Sequence, residues 1–191
     1  MKTVGRPRRP ETDEAILTAA VACLVEHGPA RASLEDVASR AGVSRPTVYR
    51  RFPDRAALVE SAVSHILDAD LPVPRATGSP PDDLLALVMN TIQMLEATPI
   101  GGLFRAIISD MPHDRAMQKI ANDVGARRRQ RVLAVLRRAV AAGLMASDTD
   151  VNLVADGLLG PVYFRFIMTG RVLDRAYVAA LIRQVCGMDV N

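Results

Sequence analysis

Tryptophan is absent from the 191 residues, aromatic residues make up only 4%, and there are just two cysteines, two lysines and three histidines. Cys23 and Cys186 stand far apart with no CxxC spacing, which argues against a disulfide-stapled secreted scaffold and fits a reducing compartment. Both read as small core hydrophobes, with a redox or cross-subunit role for Cys186 as the alternative. No apolar run approaches the roughly 18 residues that a membrane span needs. Pro10-Glu11-Thr12-Asp13-Glu14 stands where a secretory leader would need its apolar stretch. The expectation is a soluble, cytoplasmic protein with no membrane partner.

What is present is arginine. The 24 basic residues are almost all Arg, and against 21 acids they leave only +3, so the placement of charge matters more than its total. With 49% apolar and 24% charged residues the composition is globular, and wholesale disorder or a fibrous repeat is excluded.

Helical periodicity runs from residue 11 to residue 187 and no sustained period-2 pattern competes with it, so the fold class is all-α, with about nine helices. A first helix over about 12–27 carries Leu17, Ala20, Val21, Leu24 and Val25 at three- and four-residue steps and ends at His27-Gly28. Ser33-Leu34-Glu35-Asp36 reads as a capping-box-like start to a short helix that stops at Gly42. Ser44 is set to cap a third helix with Pro46 in its first turn and Val48 and Phe52 as an inward pair, closed by Pro53. Asp54 caps a fourth whose rows Leu58, Ala62, Ile66 and Val59, Val63, Leu67 imply burial against two neighbours. The proline-rich 71–81 reads as a linker, dividing a basic arm (1–10) and a first domain (11–70) from a second (82–191). In the second, helices are expected at about 82–97, 100–110, 114–143, 149–169 and 174–187.

The second and third helices, joined by Ala41-Gly42-Val43, make a helix-turn-helix in which Gly42 permits the left-handed backbone of a tight turn. With Val48 and Phe52 inward, Arg45, Thr47, Tyr49, Arg50 and Arg51 are left outward, a face suited to a polyanion. An arginine early in such a helix can grip guanine edges bidentately, hydroxyls can bond phosphates, and Pro46 can pack on a thymine methyl. Asp54-Arg55 at the next helix start adds free backbone N–H groups and a guanidinium for a phosphate. The plain alternative is a solvated basic face.

Over residues 11–67 the chain resembles the TetR family of bacterial transcriptional regulators. The resemblance is carried by Ile16-Leu17, Ala19-Ala20, Glu26-His27-Gly28, Ser33, Val37-Ala38, Ala41-Gly42-Val43-Ser44, Pro46-Thr47, Tyr49, Phe52, Arg55 and Leu58. It implies that Ser33, Thr47, Tyr49 and Arg55 meet phosphates, that Arg45, Pro46 and Arg50 meet base edges, and that Arg51 meets the DNA backbone; Ser44 belongs to the same DNA-facing set. Leu24 and Pro29 depart from the aromatics that family members often have there, which touches packing and not the DNA face. In the arm, Gly5-Arg6-Pro7-Arg8, followed by Arg9, looks like an AT-hook core whose arginines enter a narrow minor groove, the alternative being an ordinary basic tail.

For the second domain the resemblance implies an all-α part that holds a small-molecule pocket and dimerises. The apolar stripe Tyr177, Val178, Leu181, Ile182, Val185, with Gly157 and Leu158 on the preceding helix, is the expected subunit interface, and Pro161 is expected to bend that helix. Met89, Met94, Phe104, Ile107, Met111, Met117 and Phe166 are candidates for an apolar effector pocket, against the plainer reading as core. Ser109, Asp110, His113 and Asp114 around Pro112 read as solvated turn residues, not as a metal or hydrolytic site, and no phosphate loop or nucleophile elbow supports catalysis. The run Arg127-Arg128-Arg129-Gln130-Arg131 wraps round its helix and reads mostly as solvated surface. No cofactor, metal or catalytic residue is expected. The partners expected are double-stranded DNA, a small effector and a second copy of the chain. The reading from another class is a DNA-associated enzyme that uses the helix-turn-helix only for targeting.

Overall fold

The computed structural model describes residues 10–69, 76–98 and 100–190, and it is all-α: α1 Pro10–His27, α2 Leu34–Arg40, α3 Arg45–Tyr49, α4 Arg55–Ala69, α5 Pro80–Ala97, α6 Ile100–Asp110, α7 Arg115–Ala141, α8 Val151–Phe164 and α9 Arg175–Cys186. The arm arginines Arg6, Arg8 and Arg9 lie outside the described residues. Two compact units divide the chain, one of residues 1–70 with 106–120, the other of 71–105 with 121–191.

In the first unit α1 packs on α4 and α2, and α2 on α3. Ile16, Ala20, Cys23 and Leu24 of α1 are buried, as are Leu58, Val59, Ala62, Val63 and Ile66 of α4, so the expected rows of α4 bury as far as Ile66. Each such large side chain contributes about 1.5–3 kcal/mol. Residues 106–120 group with this unit, apart in sequence from the rest of it. Two polar contacts join them to α4: Arg55 Nη2 donates to Asp114 Oδ2 at 3.3 Å and Lys119 Nζ to Glu60 Oε1 at 2.9 Å.

The third helix is shorter than expected, ending at Tyr49, yet the Phe52 N–H still reaches the Val48 carbonyl at 2.9 Å and both side chains are buried. Ser44 stands at its N-cap position but makes no cap bond to the backbone; its hydroxyl pairs with Thr47 Oγ1 at 2.8 Å. Gly42 takes φ +64° in the turn, a conformation costly to any residue with a Cβ.

The second unit packs α5 on α9 and α8 on α9. Asp83, in the first turn of α5, accepts from the Thr77 N–H at 2.7 Å and is paired with Arg138 near the end of α7. After Pro161 the α-helix continues to Phe164 and then widens into a π-helical turn, Arg165–Thr169, closed by Gly170 donating to the Arg165 carbonyl at 2.8 Å. The stretch Val151–Thr169 is long and apolar enough to cross a membrane, against the expectation of no such run, because two charges in nineteen residues do not break the window. Its burial is one-sided: Ala155, Leu158, Leu159 and Val162 are buried, while Asp156 is exposed and bonded to Arg129 at 2.9 Å. That is the pattern of an amphipathic helix with one packed face.

Candidate nucleic-acid interface

Ser33 opens α2 by accepting the Asp36 N–H at 3.1 Å, which fixes the start of the first helix of the pair. Leu34, Val37 and Ala38 then bury, the smallness of Ala38 allowing α3 to come close. On α3 the side chains sort by depth as the sequence requires. Val48 and Phe52 are 0% and 1% exposed, Ser44, Arg45, Pro46, Tyr49, Arg50 and Arg51 are exposed, and Thr47 is half-buried.

The arginines of this face then divide in two. Arg40 binds Glu26 with both terminal nitrogens and holds that carboxyl below its ordinary pKa. Arg51 is paired with Asp13 and lies 5.8 Å from the Phe52 ring centre. Arg55 donates to the Ala30 carbonyl at 2.7 Å and to Asp114, tying the start of α4 to the α1–α2 loop and the α6–α7 corner. Arg45 and Arg50 pair with no carboxylate among the described residues and stand in solvent.

The Tyr49 hydroxyl, expected toward phosphate, donates to Glu35 of α2; this bond lowers the Glu35 pKa and raises that of Tyr49. Glu35, Glu26 and Asp13 are therefore part of the site's electrostatics, and local pattern gave no sign of them, since each reaches its partner from 14 or more residues away. The corner between α6 and α7 is held by local hydrogen bonds. Asp114 caps α7 by accepting the Ala116 N–H at 2.9 Å, and His113 donates its own N–H to the Asp110 carbonyl. Among the described residues no three His, Cys, Asp or Glu side chains come together as a metal site. Both thiols are buried, and burial pushes Cys186 up to about 11, far from a reactive thiolate.

Residues 16–62 match the family model of bacterial regulatory proteins, tetR family, and residues 74–185 match that of the tetracyclin repressor-like C-terminal domain. The chain belongs to the TetR family. Among TetR-family relatives, it is 30% identical over 175 residues to the DNA-binding transcriptional repressor TetR of Mycobacteroides abscessus, covering 90% of each chain. It is 29% identical over 182 residues to the uncharacterized HTH-type transcriptional regulator YdeS of Bacillus subtilis, covering 93% of this chain and 89% of that one. The crystal structure of the TetR-family transcription regulator SCO0332 superposes with a TM-score of 0.74 at 28% identity, over 93% of this chain and 98% of that one. The protein is a helix-turn-helix transcriptional regulator.

In the C-terminal part of a TetR-family chain the remaining candidates divide less cleanly. Ile107, Met111 and Met117 sit in the first unit, and Met89, Met94, Phe104 and Phe166 in the second, so the seven do not gather within one unit. The second unit holds a cleft of about 320 Å³, lined by Leu95, Thr98, Gly101, Arg105, Arg165 and Phe166 among others. Of the apolar set only Phe166 lines it, and the cleft is polar, because three arginines reach it against one glutamate.

Of the expected interface residues, Leu158, Val178 and Ile182 are 0% exposed inside their own unit and have no surface left for a partner. The helix α9 packs on both α5 and α8. Gly157 is part of the α8–α9 contact, its α-carbon so close to Val185 that a Cβ would lie 3.2 Å from that side chain. Tyr177, Leu181 and Val185 remain half-buried. Apart from Leu144 after α7, the apolar surface left open in this unit lies on α8, the π-helical turn after it and the loop beyond: Leu153, Phe164, Ile167, Met168 and Val172, of which Leu153, Met168 and Val172 are about 70% exposed. Their spacing along one helix was legible, but the π-helical turn that carries Ile167 and Met168 was not.

The arginine run is mostly solvated, as expected: Arg127 and Gln130 are exposed, and Arg129 bridges to Asp156 and Asn152 at the surface. Arg128 is the departure, 6% exposed and a core residue. Burial pushes its guanidinium below the ordinary value.

Proposed function

We propose that the protein is a repressor that binds a palindromic operator as a homodimer and leaves it when a small molecule occupies the second unit. The observation that supports operator reading best is the division of the arginines. Of Arg40, Arg45, Arg50, Arg51 and Arg55, three are held by protein partners, and Arg45 and Arg50 stand in solvent at the recognition helix with no ion pair, ready to exchange water for guanine edges. Arg55, Tyr49 and Arg51 then act first as positioning groups, and Ser33, Ser44 and Thr47 supply hydroxyls toward phosphate. The arm 1–9 contributes four further basic residues, Lys2, Arg6, Arg8 and Arg9, to the DNA-binding part of the sequence. Repression agrees with the M. abscessus relative, which is a DNA-binding transcriptional repressor. The open apolar stripe of α8 gives the second copy a place to dock, and dimerisation pairs two recognition helices for two half-sites. Acting on DNA, the protein works in the bacterial cytoplasm, at the nucleoid.

Selection of bound sequences from random duplex DNA tests the reading. The expected outcome is an inverted repeat with half-site centres about one helical turn apart. Enrichment of no sequence over the starting pool overturns operator reading.

A further inference from the structure

Arg128 is a charge in the core with no opposite charge beside it. Its Nη1 donates to Thr91 Oγ1 at 2.8 Å and its Nη2 meets the Met94 sulfur, both neutral acceptors and the sulfur a weak one. Among the described residues no carboxylate pairs with it; the titratable groups that act on it are the Tyr163 phenol, which burial keeps neutral by raising its pKa, and, unfavourably, Arg131. Leaving a guanidinium buried in this way is costly, and an anion that accepts its fork recovers the cost.

A run of rings leads away from it. Tyr163 is stacked on Phe104 with centres 5.6 Å apart, and Phe104 is tilted against Phe166 at 6.3 Å. Phe166 in turn lines the cleft of about 320 Å³, at which Arg105, Arg165 and Arg171 concentrate positive charge against Glu96 alone. Arg105 lies 4.1 Å above the Phe166 ring, so the cleft end of the run is basic as well. A cleft lined with one sign of charge draws in ligands of the other.

We infer that the effector is an organic monocarboxylate with an apolar or aromatic body, its carboxylate received by the buried Arg128 guanidinium and its body lying along Tyr163, Phe104 and Phe166. This rests on the effector reading above and names the chemistry of the ligand. A single guanidinium neutralises a single carboxylate, whereas a phosphate dianion would leave charge buried in excess. Met94 is the side chain placed to yield, being unbranched and held only through its sulfur at this point.

The test uses the full chain with 4-phenylbutyrate and decanoate as probes and 4-phenylbutanol and decanol as their neutral counterparts, read by titration calorimetry and thermal unfolding. The carboxylates should bind wild type at least tenfold more tightly than the alcohols and raise its Tm. Arg128→Met should lose about 10- to 100-fold in carboxylate affinity while alcohol affinity stays within a fewfold. Without ligand it should melt at or above wild type, since an unpaired buried charge has gone. If Arg128→Met does not fold, Arg128→Lys takes its place, keeping the charge but losing the fork, and should bind the carboxylates about tenfold more weakly. Carboxylates that do not bind, or that bind the Arg128 variants as well as wild type, overturn the proposal. Operator affinity measured in parallel separates the two readings. Carboxylate binding at Arg128 with operator affinity unchanged keeps the site and overturns the effector role, while operator release by the alcohols alone keeps the effector role and overturns the carboxylate.

Discussion

An arginine's use is set by what already holds it. Arg45 and Arg50 have no carboxylate to leave before they can meet DNA, whereas Arg40, Arg51 and Arg55 have. Arg45→Ala should therefore cost about 1–3 kcal/mol at one base pair of each half-site and broaden the preference there. A binding-site logo unchanged from wild type would remove Arg45 from the base-reading set. Glu35 acts in the opposite sense, being a carboxylate on the edge of a face that must accept phosphates, with its charged form favoured by the Tyr49 hydroxyl. Glu35→Gln keeps an acceptor for Tyr49 and removes the charge. It should tighten binding to operator and to unrelated duplex alike, by about two- to fivefold at low salt and less as salt rises. Tightening confined to the operator would mean that Glu35 contributes to sequence reading instead.

At the scale of elements, the helix-turn-helix depends on a backbone conformation and the second unit on a buried ion pair. A Cβ at Gly42 would meet nothing within 4 Å, so Gly42→Ala should destabilise through backbone strain alone, by about 1–2 kcal/mol, and Gly42→Asn by less. Urea midpoints of the two variants check the order, and equal losses would point to a clash elsewhere. Burial of Asp83 acts to raise its pKa, but the Thr77 N–H, the Arg138 guanidinium and the Thr77 hydroxyl outweigh it and the net shift is downward. A carboxyl lowered in the folded state stabilises fully above its unfolded value, about 3.9, and ceases to as pH falls through the lowered folded value. Wild type should thus exceed Asp83→Asn by about 1–2 kcal/mol at pH 7, with the gap closing below about pH 4. A gap that does not change with pH would assign the loss to packing. Most helix spans, the caps Ser33 and Asp54, and the inward pair Val48 and Phe52 were legible in the sequence because they follow from spacing within one helix, while the capping bond expected of Ser44 is not made. Glu35 with Tyr49, Asp13 with Arg51 and the burial of Arg128 were not, because each depends on which helix face is turned to a neighbour distant in the chain. The same limit explains the interface: apolar periodicity marks a stripe on α9, but how much of that stripe its own unit covers depends on the packing of α5 and α8 against it.

For the whole molecule, the open question is what covers Leu153, Phe164, Ile167, Met168 and Val172. Single exposed apolar residues are ordinary, but several on one helix and the turn after it form a patch, and patches of this kind mark association sites. Phe164 is 57% exposed and lies between Leu153 and Met168 along the helix, so it belongs to the middle of the stripe. Phe164→Asp should therefore leave the unit folded, because the side chain is not part of its own core, while placing a charge that a partner surface would have to bury unpaired. The dimer then parts, since that burial costs several kcal/mol. Sedimentation should report a monomer with wild-type helical content, and operator affinity should fall by at least about a hundredfold as one half-site contact is lost per protein, with half-site affinity unchanged. Leu158→Asp separates this from simple damage. Leu158 is on the same helix but 0% exposed, so its substitution should unfold the second unit and not yield a folded monomer. If Phe164→Asp still sediments as a dimer, the stripe faces something other than a second copy. If Leu158→Asp gives a folded monomer instead, the faces of α8 are divided between core and partner in the opposite way.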